Sequence, residues 1–343
     1  MFVQNPLIIE DVIGVEKITK LYKIANRMFQ IMKKNFAEII EEKKWLDKES
    51  KENMIKKLNG IKFYDRLYDP YHNLSNVEQF FKLLVYKTDH TYENITYYTE
   101  IFSILMDAKM GTHNMPIYIE DILQPNAYYY RIDNTVHILL GYLLKPTFDP
   151  KYMTSMIFGG LGGTIGHEML HAFDGIGMNF FLEATRGQLL SDYSQEIYLK
   201  KKQCLIDQYE KPDSKLPSLT IDGSRSYGEN LSDNSGIKLA YKAYKKYEKM
   251  YGAEKNRMKK FRKYTNDQLF FISFAHSYCS VMSDYIRARK ISSPRSVHLP
   301  DDIRVILSTA NREEFSKAFE CKVGTKMNPD DKCEIWKFKH KTL

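Results

Sequence analysis

The sequence predicts an α+β protein that is predominantly α-helical. Two observations carry that expectation. Apolar residues recur at helical spacing along most of the chain, and only between Pro116 and Pro146 do aromatic and β-branched residues gather in short runs. The composition is that of an ordinary globular chain: 343 residues, 43% hydrophobic and 27% charged, with room for a substantial core in one large domain or two.

The first hundred residues read as helices joined by short polar turns. Trp45-Leu46-Asp47 precedes an amphipathic run in which Met54, Ile55 and Leu58 share a face, and Asn59-Gly60 closes it. Asp69-Pro70 breaks the pattern, and a further helical run is expected from Val77 to Tyr86. Asn126-Ala127-Tyr128-Tyr129-Tyr130-Arg131 and Thr135-Val136-His137-Ile138-Leu139-Leu140 then flank Asp133-Asn134, which predicts a β-hairpin. Helical patterns resume after it, broken by the Pro212–Pro217 loop and the Ser293–Pro300 segment. Neither an internal repeat nor a low-complexity segment is found.

The net charge of +8 comes from 51 basic against 43 acidic side chains. The longest basic run is Lys200-Lys201-Lys202, and a looser cluster comprises Arg257, Lys259, Lys260, Arg262 and Lys263. Both read as solvated surface, so no nucleic-acid partner is expected. No stretch reaches the roughly 18 apolar residues of a membrane span, and Met1–Leu7 lacks the basic-then-apolar pattern of a signal peptide. Cys204, Cys279, Cys321 and Cys333 form no C-x-x-C pair, which excludes a zinc knuckle or a thioredoxin-like site. Free thiols and disulfides both remain open. The sequons at Asn73 and Asn94 are compatible with secretion, whereas a third, at Asn230, falls inside a candidate site motif.

The candidate chemistry begins at Gly166-His167-Glu168-Met169-Leu170-His171-Ala172-Phe173-Asp174, which contains H-E-x-x-H. On a helix the two histidines share one face and reach one Zn²⁺, while Glu168 stands ready to take a proton from a water that the metal activates. A metzincin needs Gly at position 174 and His at position 177; Asp174 and Gly177 exclude it. Gly228-Glu229-Asn230-Leu231-Ser232-Asp233 offers two carboxylates on one helical face. Glu229 is suited to complete a His₂Glu site with one position left open, and Asp233 to orient a ligand from behind. Alone, each segment also fits a plain surface helix; their pairing is what favours a metal site. The run Gly159-Gly160-Leu161-Gly162-Gly163 lacks the residues of a phosphate loop.

G-H-E-x-x-H-x-F-D followed by G-E-N-x-x-D resembles the neprilysin family of zinc endopeptidases, which includes the endothelin-converting enzymes. Asn126-Ala127-Tyr128, Gln268-Leu269-Phe270-Phe271, Phe315-Ser316-Lys317-Ala318-Phe319, Met327-Asn328-Pro329 and Cys333-Glu334-Ile335-Trp336 agree with it. The resemblance runs from Trp45 to Trp336 and matches the C-terminal part of a typical member. It implies a zincin-type catalytic domain with an edge-strand hairpin at 126–337, and at 1–125 the last portion of an N-terminal helical region. It also implies one Zn²⁺ per chain on His167, His171 and Glu229, with Glu168 as general base, Asp233 assisting beside the metal and Asp174 backing a ligand histidine. His298 is expected to stabilise the oxyanion, Arg304 to grip a substrate carbonyl, and Asn126 and Ala127 to hold peptide substrates by strand addition. Cys204 is implied to pair with Cys333, and the family partners of Cys279 and Cys321 lie in a region preceding this chain. Extracellular placement, or an ectodomain attached to a membrane, is implied too; the resemblance says nothing of oligomeric state.

Gly163, Thr164, Ser277 and Tyr278 depart from the larger or more apolar residues common in the family's pocket, as does the stretch from Phe180 to Leu190. Two functions follow from these features: an oligopeptide-cleaving enzyme, or a catalytically silent member that binds peptides or partners.

Overall fold

Val15–Glu41 forms the first long helix, α1, because its apolar residues return every three or four positions. From Ala25 through Met28, Phe29, Met32 and Phe36 to Ile39 and Ile40, that stripe is buried. The structure, a computed structural model, describes residues 8–64, 123–181, 185–255 and 259–336. The expected helix from Val77 to Tyr86, the Asp69-Pro70 break and the sequons at Asn73 and Asn94 lie outside them. The chain divides into two compact units, Met1–Lys23 with Asp65–Gln124, and Ile24–Tyr64 with Pro125–Leu343. In the first unit the described residues include the start of α1; the second holds every candidate site residue.

Within the second unit, α2 (Lys48–Gly60) starts at Asp47, whose carboxylate accepts the Ser50 N–H at 2.9 Å. Met54 and Leu58 are fully buried as the pattern required, while Ile55 is half-buried. Lys57 is buried too, because its ammonium donates to the carbonyls of Gly177 and Phe180 just beyond the H-E-x-x-H segment. Burial lowers its pKa to about 8.

The predicted hairpin is present as β2 (Ala127–Tyr130) paired antiparallel with β3 (Thr135–Ile138). Asn134, at φ 57°, makes the left-handed turn that Asn tolerates well. A third strand, β1 (Lys62–Tyr64), pairs parallel with β3, so among the described residues the order is β1-β3-β2 and β2 is an edge. The sequence reading missed β1 because three residues carry no alternation signal.

A short helical lead-in at Thr154–Ile157 and a π-helical turn at Phe158–Gly162 run into α3 (Gly163–His171), which packs beside β2. The glycine run serves packing: a Cβ on Gly159 would lie 2.1 Å from the Phe270 carbonyl oxygen. Beyond α3 come α4 (Asp192–Tyr209), α5 (Tyr227–Tyr251), α6 (Asn266–Ser277), α7 (Asp284–Ser292), α8 (Asp301–Ala310) and α9 (Glu313–Ala318). The two predicted loops connect α4 to α5 and α7 to α8. In the first, Asp213 is fully buried against the Arg287 guanidinium of α7. Asn230, of the third sequon, is buried inside α5.

Phe36 meets Phe173 and Trp336 edge-on at 5.2 and 5.3 Å, joining α1 to the end of α3 and to the C-terminal segment. That segment is tied to α4 by the disulfide Cys204–Cys333, with a Cα–Cα distance of 5.7 Å, while Cys279 and Cys321 are free. Closing a loop across 129 positions contributes about 3–5 kcal/mol in the chain-entropy account. The Cys204→Ser/Cys333→Ser double variant should lose about that much in guanidinium unfolding, with a steeper slope because the unlinked denatured chain exposes more surface. A loss below about 1 kcal/mol would show that the bond adds no constraint of its own.

Candidate metal centre

Three segments distant in sequence supply the site. α3 carries His167, Glu168 and His171; α5 carries Glu229 and Asp233; His298 and Arg304 flank the start of α8. α3 crosses α5 at two glycines. A Cβ on Gly166 would stand 2.6 Å from the Gly236 oxygen, and one on Gly236 would stand 2.5 Å from the His167 nitrogen. Only hydrogen fits at either position.

This contact sets histidine rings against carboxylates. His167 Nε2 and His171 Nε2 face each other at 3.0 Å, and the Glu229 carboxylate lies 3.3 Å from the first and 3.5 Å from the second. Behind the rings, His171 Nδ1 contacts Asp174 Oδ2 at 2.9 Å, and His167 Nδ1 stands 2.8 Å from Asp233 Oδ1 in a contact closer than it is linear. With both Nδ1 atoms backed by carboxylates, both Nε2 lone pairs converge with a carboxylate on one point. Two imidazole nitrogens, one carboxylate and room for a fourth partner are the donor set of catalytic zinc, and the residues fit it. Glu168 also offers an oxygen within 4.8 Å of both rings. Glu229 is the better third donor, since its carboxylate touches both Nε2 atoms.

The electrostatics agree with a cation site. Burial opposes a charge on His167, yet Asp233 and Glu229 outweigh it and raise the pKa to about 10. Burial would raise the Glu229 pKa, but its contacts with His167 and His298 drive it below the ordinary carboxylate range. Asp233 is likewise held low against burial by Arg304, which binds it through Nε and Nη2 at 2.7 Å each, and by His167. For Glu168 burial prevails, and its pKa is raised despite His167 and His171.

All ten expected site residues fall in this one region. Asn126, Ala127, His167, Glu168, His298 and Arg304 line a cavity of about 200 Å³ together with Tyr142, Thr164, Ser277 and Tyr278. His298 Nε2 lies 3.2 Å from Glu229, with its side chain 56% exposed at the cavity. Asp174 and Glu229 border a neighbouring cavity with Arg131. The sequence carries no sign of three side-chain placements, although the resemblance puts Tyr278 at a pocket position. Tyr142 hydrogen-bonds Thr164, but it sits in a segment with no motif. The Tyr278 hydroxyl donates to Asp233 at 2.8 Å, a contact that no spacing signals. Arg131 was taken only as the end of a strand.

Comparison with known proteins adds a lineage. The profile described as peptidase family M13 matches residues 126–335. Neprilysin-1 of Caenorhabditis elegans is 29% identical over 320 residues, covering 90% of this chain and 41% of that protein. Endothelin-converting enzyme 1 of Homo sapiens is 30% identical over 319 residues, covering 91% of this chain and 40% of the relative. The chain thus spans about two fifths of the length of these curated relatives. In fold it is similar to the zinc metalloprotease Zmp1 of Mycobacterium tuberculosis solved with an inhibitor, at a TM-score of 0.72 and 18% identity over 97% of this chain and 49% of that one. It is similar too to a galactose-containing glycoprotein complex of Haemonchus, at a TM-score of 0.71 and 24% identity over 90% of this chain and 49% of that one.

Because the glycine crossing holds the two helices together, Gly236→Ala should push α3 from α5 and part the histidines from Glu229. The expected outcome is a loss of about 2–3 kcal/mol in stability with weakened zinc binding. Thermal unfolding and zinc titration of the variant beside the parent would show it; parental zinc affinity would contradict the assigned packing.

Proposed function

The chain belongs to peptidase family M13, and on that premise we propose that it carries the catalytic part of a zinc-dependent endopeptidase that hydrolyses oligopeptides. The observation that bears most weight is the convergence of His167 Nε2, His171 Nε2 and Glu229 within 3.5 Å, with Glu168 beside them and an edge strand alongside.

In this reading His167, His171 and Glu229 hold one Zn²⁺. The bound ion supplies Lewis acidity, polarising a carbonyl and lowering the pKa of water to about 7. Glu168 does the proton work. Its burial makes it more basic than an ordinary carboxylate, so it accepts the proton of the attacking water and passes it to the departing amine. His298, at the cavity with one nitrogen near Glu229, donates toward the oxygen on which negative charge develops.

Asp233 acts through other groups. His167, Arg304 and Tyr278 already occupy it, so it fixes the His167 ring and aims the guanidinium. Arg304 keeps a face on the cavity for a substrate carbonyl, and Asp174 fixes His171. Asn126 and Ala127, at the head of exposed-edge β2, take the peptide backbone as an added strand. The hydroxyls of Tyr142, Thr164, Ser277 and Tyr278 line the cavity but are satisfied inside the protein, so it suits a modest side chain of either polarity.

We assign the catalytic domain to 126–337. The Cys204–Cys333 bond supports an oxidising setting, outside the cell or on an ectodomain. No helix among the described residues is long and apolar enough to cross a membrane.

Glu168→Gln removes the base and no ligand. It should keep one zinc per chain while peptide turnover falls by about 10²–10⁴. Metal analysis and a fluorogenic peptide assay on parent and variant test both halves. A parent protein that binds zinc yet cleaves no peptide would favour a silent, peptide-binding role; unchanged turnover in the variant would remove Glu168 from the mechanism.

A further inference from the structure

A second cavity, of about 280 Å³, shares no lining residue with the first and meets the donor cluster at Glu229. The two are connected by β2. Asn126 and Ala127, where the strand begins, line the first cavity, and Arg131, which directly follows the strand, lines the second. An extended peptide laid along the β2 edge therefore has one end at each cavity.

The second cavity is basic. Arg131, Lys202 and Arg225 line it, and its two carboxylates are engaged elsewhere. Asp174 serves His171 and accepts the N–H groups of Ile176 and Gly177; Glu229 serves both histidines, His298 and Arg304. Among the described residues the cations have only loose ionic partners. Arg131 stands 3.6 Å from Asp174, and Arg225 stands 3.7 Å from Asp222 while donating to the Ile291 carbonyl. The Lys202 ammonium lies over the Tyr227 ring at 5.0 Å. The Nε groups of Arg131 and Arg225 are buried without a hydrogen-bond partner among the described residues. Cations this weakly paired inside the protein leave charge on the cavity wall, and a carboxylate is the ligand group that matches it best.

We propose that the cavity of Arg131, Lys202 and Arg225 binds an acidic side chain of the peptide substrate about three residues from the cleaved bond. The distance follows from contacts: Arg131 reaches the metal donors through Asp174 and His171, a path of about 10 Å, or about three residues of extended strand. The bound glutamate or aspartate would lie at the far end of β2 from the hydroxyl-lined cavity. The proposal rests on the peptidase reading for what the site does to the peptide, but not for whether it binds one. A free chain-end carboxylate offers the same chemistry and must be separated by experiment.

The test is a binding measurement on the zinc-loaded Glu168→Gln protein, with fluorescent peptides blocked at both ends. Glu is placed at each of the four positions on either side of the expected cleavage site and compared with Gln at the same place. Binding should favour Glu about tenfold at one position about three residues out, on one side only, and the preference should shrink as salt rises. In Lys202→Gln and Arg225→Gln the preference should fall toward unity, while affinity for the Gln peptide holds as the check on folding. Equal binding of Glu and Gln everywhere overturns the proposal, as does a preference that survives both substitutions. A gain only from unblocking the C-terminus overturns it in favour of a chain-end carboxylate. Cleavage is read separately on the parent enzyme: peptides bound with the Glu preference but never cut leave the cavity assigned and refute the peptidase reading alone.

Discussion

Where α3 crosses α5, backbone meets backbone, and no side chain larger than hydrogen fits between Gly166 and Gly236. Helices ordinarily pack about 8–10 Å apart, a spacing set by the side chains between them. Removing those side chains lets the axes close, and the neighbours of the two glycines inherit the geometry. His167 directly follows Gly166, and His171 lies one turn beyond on the same face. On α5, Asp233 and Glu229 sit about one and two turns before Gly236 on its face. A single point of contact thus presents two imidazoles to two carboxylates. The surrounding core, with Phe36 against Phe173 and Lys57 bound to the carbonyls beyond α3, keeps that helix from sliding.

The charges collected this way are unbalanced without a cation. Glu168, Asp174, Glu229 and Asp233 are all buried, and the one guanidinium buried among them is that of Arg304. Neutral imidazoles add nothing to the balance. Unpaired buried carboxylates are strongly unfavourable, so the arrangement calls for a further positive charge between the Nε2 atoms, where a divalent metal fits. The raised proton affinity of His167 expresses the same demand. Asp233 illustrates why the fold tolerates the cluster: hydrogen bonds from Arg304 and Tyr278, with the His167 ring 2.8 Å away, leave it neither free nor reactive.

Those features that depend on residues close in sequence were legible beforehand. The H-E-x-x-H helix, the second carboxylate pair, the α2 start at Asp47 and the Asp133-Asn134 hairpin turn all follow local rules, and the structure holds each element. The packing of the glycine run against the Phe270 carbonyl needed coordinates. Glu229 was a candidate third donor from its carboxylate pair together with H-E-x-x-H, whereas assigning His298 and Arg304 to the same site depended on resemblance, because no spacing rule joins positions more than sixty residues apart. Contacts that neither a local pattern nor a quoted motif points at stayed invisible. The Tyr278–Asp233 hydrogen bond, the short parallel strand β1 and the place of Arg131 beside Asp174 are of that kind.

The division of labour among segments has a consequence for how such a molecule can change. The proposed metal donors and their backing carboxylates lie on α3, on α5 and just beyond α3, where a shift of either helix disturbs all of them together. The residues proposed to face the rest of a peptide come from elsewhere: Asn126 and Ala127 from the strand edge, Ser277 and Tyr278 from the end of α6, Arg131 from the hairpin turn, and Lys202 and Arg225 from α4 and the loop before α5. Loop and edge positions accept substitution with little effect on the core, whereas Gly166 or Gly236 does not. Tyr278 is the exception, since it lines the cavity and also holds Asp233. Apart from that residue, the peptide preference can move while the chemistry stays fixed. The polar cavity and the basic one then lie around a close crossing of two helices that admits no larger residue.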